Sequence, residues 1–341
     1  MRLPRIPAIA VAVALLALAL GLVACGEKSE DGGTEAQPLS LTLDFYPNPD
    51  HAGIYMAQKL GYFEEAGLDV SIDAPADPAA PMKLVAAGKT DLAISYEPEV
   101  ALAHDQGLDV IAIAALVNRP LTSLIWLQKS GIKGVGSLKG KTVATAGIPY
   151  QDAFLETILA RAKLSPSDVK AVNVGFGLLP ALVSGSAQAM LGGFLNVEGV
   201  DLRQRGLDPV VTPVDQLGVP TYDELVLVAN RQRLDEDPEK FRLFIAAFER
   251  GTDAAVKQPN AASKAVIEAN HDLEPKLTEA EIEATLPLLA ARTPGQPFGY
   301  MDPNEWKTFS AWMRDNGLIE SLPEPSELLS NAYLFGDEIP E

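Results

Sequence analysis

One cysteine, three histidines and a shortage of cations set the first bounds on this chain of 341 residues. With Cys25 alone, no disulfide framework, thiolate nucleophile in the body or Cys-rich metal site can form. His51, His104 and His271 share no metal-ligand spacing, so no zinc site assembles from them. Lys and Arg number 27 against 46 Asp and Glu, a formal charge of −19. Such a body repels nucleic acid and anionic headgroups, and neither is expected as its partner. Beyond residue 38 no apolar run is long enough to cross a bilayer. No G-x-S-x-G, Walker A or H-E-x-x-H pattern occurs. "GVGSLKG" at 134–140 fails the dinucleotide fingerprint because its third Gly comes one place late. No cofactor, metal or catalytic residue is expected.

What is present begins with a leader. Arg2 and Arg5 precede the apolar run "AIAVAVALLALALGLVA", which ends at Cys25. This is the pattern of a secretory signal peptide over 1–24. "LVAC" at 22–25 resembles a bacterial lipobox, and the resemblance implies cleavage before Cys25 and a lipid on its thiol. Several acyl chains anchor a protein without a spanning helix. Residues 25–38, acidic and Gly-rich, read as a flexible tether. Loss of Arg2 and Arg5 with the leader takes the formal charge from −19 to −21.

From Leu39 onward strand-like and helix-like patterns alternate. "LSLTLDF" is a strand, and the following helix shows Ala52, Met56, Leu60 and Phe63 at helical spacing until Gly67 stops it. Further strand–helix pairs run to "DVIAIAALV" at 109–117, and "SLIWLQ" at 123–128 adds a strand to the same series. A second series starts at Lys141. "LVAAGKTDLAIS" at 84–95 and "ALVSGSAQAMLGG" at 181–193 echo each other, a weak internal repeat. After the strand in "DELVLVAN", helical patterns continue to the end. The expected fold is α/β, two lobes with parallel-rich mixed sheets joined by a hinge that the chain crosses twice. The expected boundaries are 39–130 plus 223–341 for lobe 1 and 131–222 for lobe 2. The cleft between the lobes is the natural ligand site.

Polar and aromatic residues gather at the C-terminal ends of these strands, where open α/β sheets bind ligands. Asp44, Phe45, Tyr46, Asn48 and His51 follow the first strand, in "DFYPNPDHAGIYM". Tyr96 and Glu97 follow the third, and Asn118 the fourth. The second lobe offers Tyr150, Gln151, Phe176, Asn196 and Glu198, and Tyr222 sits at the return crossing. Any one of these has a structural role as readily as a ligand contact. Together they offer stacking faces, carboxylates and amides, which suit a small, flat, nitrogen-bearing ligand. An anion would want cations, and Arg119 is the main candidate nearby.

The stretch "LDFYPNPDHAGIYMAQKLGYFEEAGLDV" resembles the opening of the thiamine-pyrimidine-precursor binding proteins of bacterial ABC importers, within the group that includes sulfonate-, taurine- and nitrate-type binding proteins. "LVAAGKTDLAISYEPEVALA", "SLKGKTVATAG", "NVEGVDL", "GYMDPNEW" and "SNAYL" extend the resemblance over about residues 40 to 335. It implies a type II periplasmic-binding-protein fold, a monomer clamping an aminopyrimidine between its lobes, and delivery to a permease and its ATPase outside the cytoplasm. By the same resemblance Asp44 meets a ligand N–H, Phe45 stands where pyrimidine binders often carry Trp, Asn48 and His51 match the family's Asn and His, and Glu198 pairs with an exocyclic amine. Phe194 and Leu195 stand where pyrimidine binders tend to show Tyr-Trp. Riboflavin-like, sulfonate, taurine and nitrate solutes remain alternatives. So does a fungal pyrimidine synthase of the same fold, which consumes its own histidine at the place of His51. That enzyme's Cys-rich segment falls near 217–228, where this chain has no Cys.

Overall fold

The computed structural model describes residues 36–291 and 294–335. The leader and Cys25 lie outside the described residues. The tether reading reached Pro38, but Gln37 and Pro38 already pair with Leu68 and Asp69 as the start of a strand.

Among the described residues ten strands form two sheets: β1 (Gln37–Thr42), β2 (Leu68–Asp73), β3 (Leu92–Ser95), β4 (Val110–Val117), β5 (Thr122–Leu127), β6 (Thr142–Thr145), β7 (Lys170–Asn173), β8 (Ala189–Phe194), β9 (Pro209–Pro213) and β10 (Leu225–Asn230). The first sheet has the order β2-β1-β3-β10-β4 and the second β7-β6-β8-β5-β9. In each, three parallel strands are followed by one antiparallel strand, β10 or β5, and then an edge strand. The two sheets are therefore one pattern used twice, with β3 equivalent to β8, as the internal echo implied.

The position of β5 departs from the sequence reading. Its residues were expected to close the first lobe, but β5 pairs antiparallel with β8 and β9 in the second sheet. The first crossing thus runs through 118–121 rather than near 130. An apolar run such as "TSLIWL", buried throughout, reads as a central strand without revealing in which sheet. Its counterpart β10 makes the reverse trip and lies in the first sheet.

The helices are α1 (Ala52–Lys59), α2 (Tyr62–Glu65), α3 (Pro81–Ala86), α4 (Glu97–Asp105), α5 (Tyr150–Arg161), α6 (Leu178–Ser184), α7 (Glu198–Gln204), α8 (Arg231–Glu236), α9 (Pro238–Lys257), α10 (Pro259–Ala269), α11 (Pro275–Leu289), α12 (Pro303–Asp315) and α13 (Pro325–Leu328). From α9 to α13 each opens on proline, whose missing N–H costs nothing in a first turn. In α9, Phe241, Phe244, Ile245 and Phe248 form the buried stripe. Helix α1 packs against it so closely that a Cβ at Gly251 would fall on the carbonyl oxygen of Gly53. This contact fixes the helix that follows the Asp44–His51 corner.

Candidate functional site

The corner after β1 is built by its own side chains. Asn48 caps a short 3₁₀ turn at Pro49–His51, its Oδ1 accepting from the Asp50 N–H at 2.8 Å. The Asn48 N–H donates back to His51 Nδ1 at 3.2 Å. A ring nitrogen that accepts a hydrogen bond is unprotonated, so Nε2 carries the hydrogen. His51 Nε2–H then donates to Asp44 Oδ1 at 2.8 Å. The other Asp44 oxygen, Oδ2, accepts from the Tyr96 hydroxyl at 2.9 Å. Sequence proximity alone hides this relay, since the turn must bend seven residues back on themselves to close it.

Asp44, Phe45, Tyr46, Asn48 and Tyr96 form one wall of a narrow cavity. The facing wall comes from the second sheet and its loops: Ala146, Ile148, Tyr150, Gln151, Gly192, Phe194, Val197 and Glu198. Phe176 reaches over from the second lobe and meets Phe45 edge to face, with centroids 4.6 Å apart. Tyr96 and Tyr150 make a similar contact at 5.5 Å. Its walls are aromatic with a few polar groups, as those of small-ligand pockets are.

Those polar groups have distinct characters. Asp44 uses one lone pair on each oxygen for its protein partners, and a carboxylate retains others for a ligand N–H. Gln151 Oε1 accepts from the Ala146 N–H at 2.9 Å, while its Nε2 has no partner among the described residues. That amide rests on Gly192, where a Cβ would collide with Nε2 and where φ is +109°. Glu198 Oε2 accepts from the Phe194 N–H at 2.7 Å, and burial pushes its carboxyl up to about 7. Among the described residues no Lys or Arg lines the cavity. Arg119 is exposed and outside it.

Other expected residues lie elsewhere. His51 is wholly buried and does not line the cavity; its ring holds Asp44 instead. Asn118 lines a separate recess with Leu289 and Tyr300. Glu97 sits at the hinge, where its Oε2 accepts from the Asp223 N–H at 2.7 Å. Burial and the neighbouring Asp223 push its carboxyl well above the ordinary range. Asp223 in turn accepts from the Trp306 indole N–H at 2.6 Å. Tyr222 packs against Phe154 and Phe309, and its hydroxyl donates to Glu224. Asn196 is absent from the cavity wall but joins the two halves: its Nδ2 donates to Asp50 Oδ1 at 2.7 Å and to Thr285 Oγ1 at 2.8 Å.

Glu224 had no sequence signal. It is fully buried and accepts from the N–H groups of Leu121 and Thr122, the Thr122 hydroxyl and the Tyr222 hydroxyl. One carboxylate thus holds both crossings of the hinge. Burial still lifts it to about 7 against those four donors.

The model of a family described as "NMT1/THI5 like" matches residues 48–262, which takes in the Asn48–His51 turn, Tyr96, Gln151, Glu198 and both crossings. The chain belongs to the NMT1/THI5-like family. A Haemophilus influenzae member named for thiamine biosynthesis is 37% identical over 284 residues, 83% of this chain and 88% of that one. A formylaminopyrimidine-binding protein of Halalkalibacterium halodurans is 33% identical over 313 residues, 90% of this chain and 94% of its own. Among solved structures, the periplasmic aliphatic sulphonate binding protein of Escherichia coli aligns with a TM-score of 0.64 at 14% identity, covering 89% of this chain and 96% of that one. The likeness gives this NMT1/THI5-like chain the periplasmic-binding-protein fold, in agreement with its two mixed sheets and double crossing.

Proposed function

We propose that this chain is the extracytoplasmic solute-binding receptor of an ABC importer, held to the membrane through a lipid on Cys25. It closes its lobes over an aminopyrimidine and presents it to a permease with its ATPase. The observation that carries the reading is the aromatic cavity between the sheets, with Asp44 and Glu198 as acceptors, the Gln151 amide as donor and no cation on its walls. A flat ring with N–H groups satisfies these, whereas sulfonate or nitrate would meet carboxylates without a countercharge. The formylaminopyrimidine-binding relative supports the same class.

The family also holds fungal proteins named as pyrimidine phosphate synthases. The position of His51 argues against that chemistry here: it is wholly buried, with both ring nitrogens bonded inside the protein.

Thermal unfolding in the presence of solutes tests the proposal. A ligand that binds only the folded state stabilises it by RT ln(1 + [L]/Kd). Formylaminopyrimidine or 4-amino-5-hydroxymethyl-2-methylpyrimidine is expected to raise Tm. A shift with a sulfonate, nitrate or flavin and none with either pyrimidine would overturn the ligand class.

A further inference from the structure

Outside the inner cavity the cleft widens into a groove of about 810 Å³. The two spaces share Tyr46, Asn48, Val197 and Glu198, so a ligand seated inside can extend outward past Glu198. Carboxyl groups from both lobes face this groove: Glu281 on α11, and Glu198 and Asp201 on α7. Asp201 is paired with Arg205, the one basic residue on the groove wall among the described residues. Glu274 is occupied in capping the Leu277 N–H, and Asp272 lies at the outer margin.

Glu281 stands apart from that cluster. It is only 4% exposed, it lines the groove, and it forms no hydrogen bond or ion pair among the described residues. Behind the groove wall Asp50 keeps Oδ2 buried without a partner. A buried carboxyl without partners is costly unless it keeps its proton or receives a cation. Burial first, then the carboxyls of Glu198, Asp201 and Asp50, push Glu281 up to about 9 against the opposing charge of Arg205. Burial without a partner thus favours the protonated form of Glu281, which a cation seated beside it would reverse.

We propose that the outer groove is a subsite for a compact organic cation, a protonated amine carried on the ligand and seated between Glu281 and Glu198. This rests on the reading that a flat ring fills the inner cavity. An ammonium offers three N–H donors, to Glu281, which has none among the described residues, and to the lone pairs Glu198 keeps beside its Phe194 bond. As it enters, Glu281 releases its proton to solvent, so that an ammonium and a carboxylate face each other and charge balances. Specificity would then have two parts, ring recognition within and charge recognition at the mouth.

Two probes separate the parts: 4-amino-5-aminomethyl-2-methylpyrimidine and its 5-hydroxymethyl counterpart, titrated calorimetrically into the full chain at pH 7 in buffers of different ionisation enthalpy. The amine is expected to bind roughly tenfold or more tighter than the alcohol. It is also expected to release about one more proton. Glu281→Gln should erase both differences, and Glu281→Asp, which keeps the charge, should restore part of them. Thermal unfolding of both variants confirms that they fold. Equal affinity for the two probes, binding of the alcohol alone, or an amine preference that survives Glu281→Gln overturns the subsite and leaves the inner-cavity reading standing. Binding of neither probe overturns both.

Discussion

Glu224 and Thr122 are joined twice, through the Thr122 N–H at 2.7 Å and its hydroxyl at 2.8 Å, and they belong to opposite crossings of the hinge. The link between the lobes is thus a buried side-chain bond as well as a pair of peptide strands. Removing its acceptor leaves several buried donors without a partner. Glu224→Ala is expected to lower stability by about 3–5 kcal/mol, the range for breaking a buried charged network. Urea unfolding measures it, and a change within experimental scatter would show that the hinge does not depend on this carboxylate.

Asp44 is expected to be the main acceptor for a ligand N–H. Asp44→Asn turns one oxygen into an NH₂ that faces either the Tyr96 hydroxyl or His51. Binding of the hydroxymethyl pyrimidine should weaken about tenfold or more, since a charged hydrogen bond contributes ~1.5–3 kcal/mol. His51→Gln should weaken it less, because His51 acts through Asp44. Calorimetry on both variants orders them, and the reverse order would place His51 in the site itself.

Asn196 holds the lobes together through Asp50 and Thr285. Asn196→Ala should favour the open arrangement, raising the radius of gyration of the ligand-free protein in small-angle scattering. Affinity should fall with it, because closure then costs more of the binding energy. An unchanged scattering profile together with unchanged affinity would remove the latch.

Stability should depend on pH in a direction set by the buried acids. Burial is the largest cause in each case: it raises Glu99, Glu198, Asp223 and Glu224 to about 7 and Glu281 to about 9. Their ordinary values are 4.5 for Glu and 3.8 for Asp. The folded state therefore binds more protons than the unfolded one through this interval, and stability falls as pH rises. The contribution is complete below about pH 4 and is lost progressively through 7 and up to 9. Asp91 and Asp168 are shifted downward and act in the opposite sense, but below pH 4. The urea midpoint of the ligand-free protein is expected to decline from pH 5.5 to 9, and a flat or rising profile would contradict the burial of these groups.

The anchor has its own test. Cys25→Ser should move the protein from the membrane fraction to the soluble fraction of the secreting cell and abolish labelling with a fatty-acid analogue. Retention at the membrane would remove the lipid.

The Asp44–His51 corner was legible because two prolines, a capping Asn and a change of period mark a strand end and a helix start within a few residues. The lobe architecture was legible too, since strand and helix patterns recur and 84–95 echoes 181–193. The membership of β5 was not, because a run buried on both faces has no period that points to one sheet. Glu97 and Tyr222 both stand beside strand ends, which in sequence point to the cleft, and only tertiary contact shows that those ends meet at the hinge. Glu224 lies inside the pattern "DELVLVAN" as an ordinary strand flank. Its value comes from Leu121 and Thr122, about a hundred positions away, and no local reading pairs them. Asn118 failed for the opposite reason: its strand end opens into a recess away from the cleft.

The exchange of β5 and β10 between the two sheets bears on how the chain comes to be folded as it is made. The β4 strand, buried along its whole length, has β10 as its ladder partner. As residues appear from the N-terminus, β4 waits through the whole of the second lobe before Leu225–Asn230 arrives to flank it. The first sheet therefore closes last, after the sheet that follows it in sequence has every strand it needs. A chain arrested near residue 220 would carry a finished second sheet and a first sheet that ends at β3, with the eight apolar residues of β4 lacking their ladder partner.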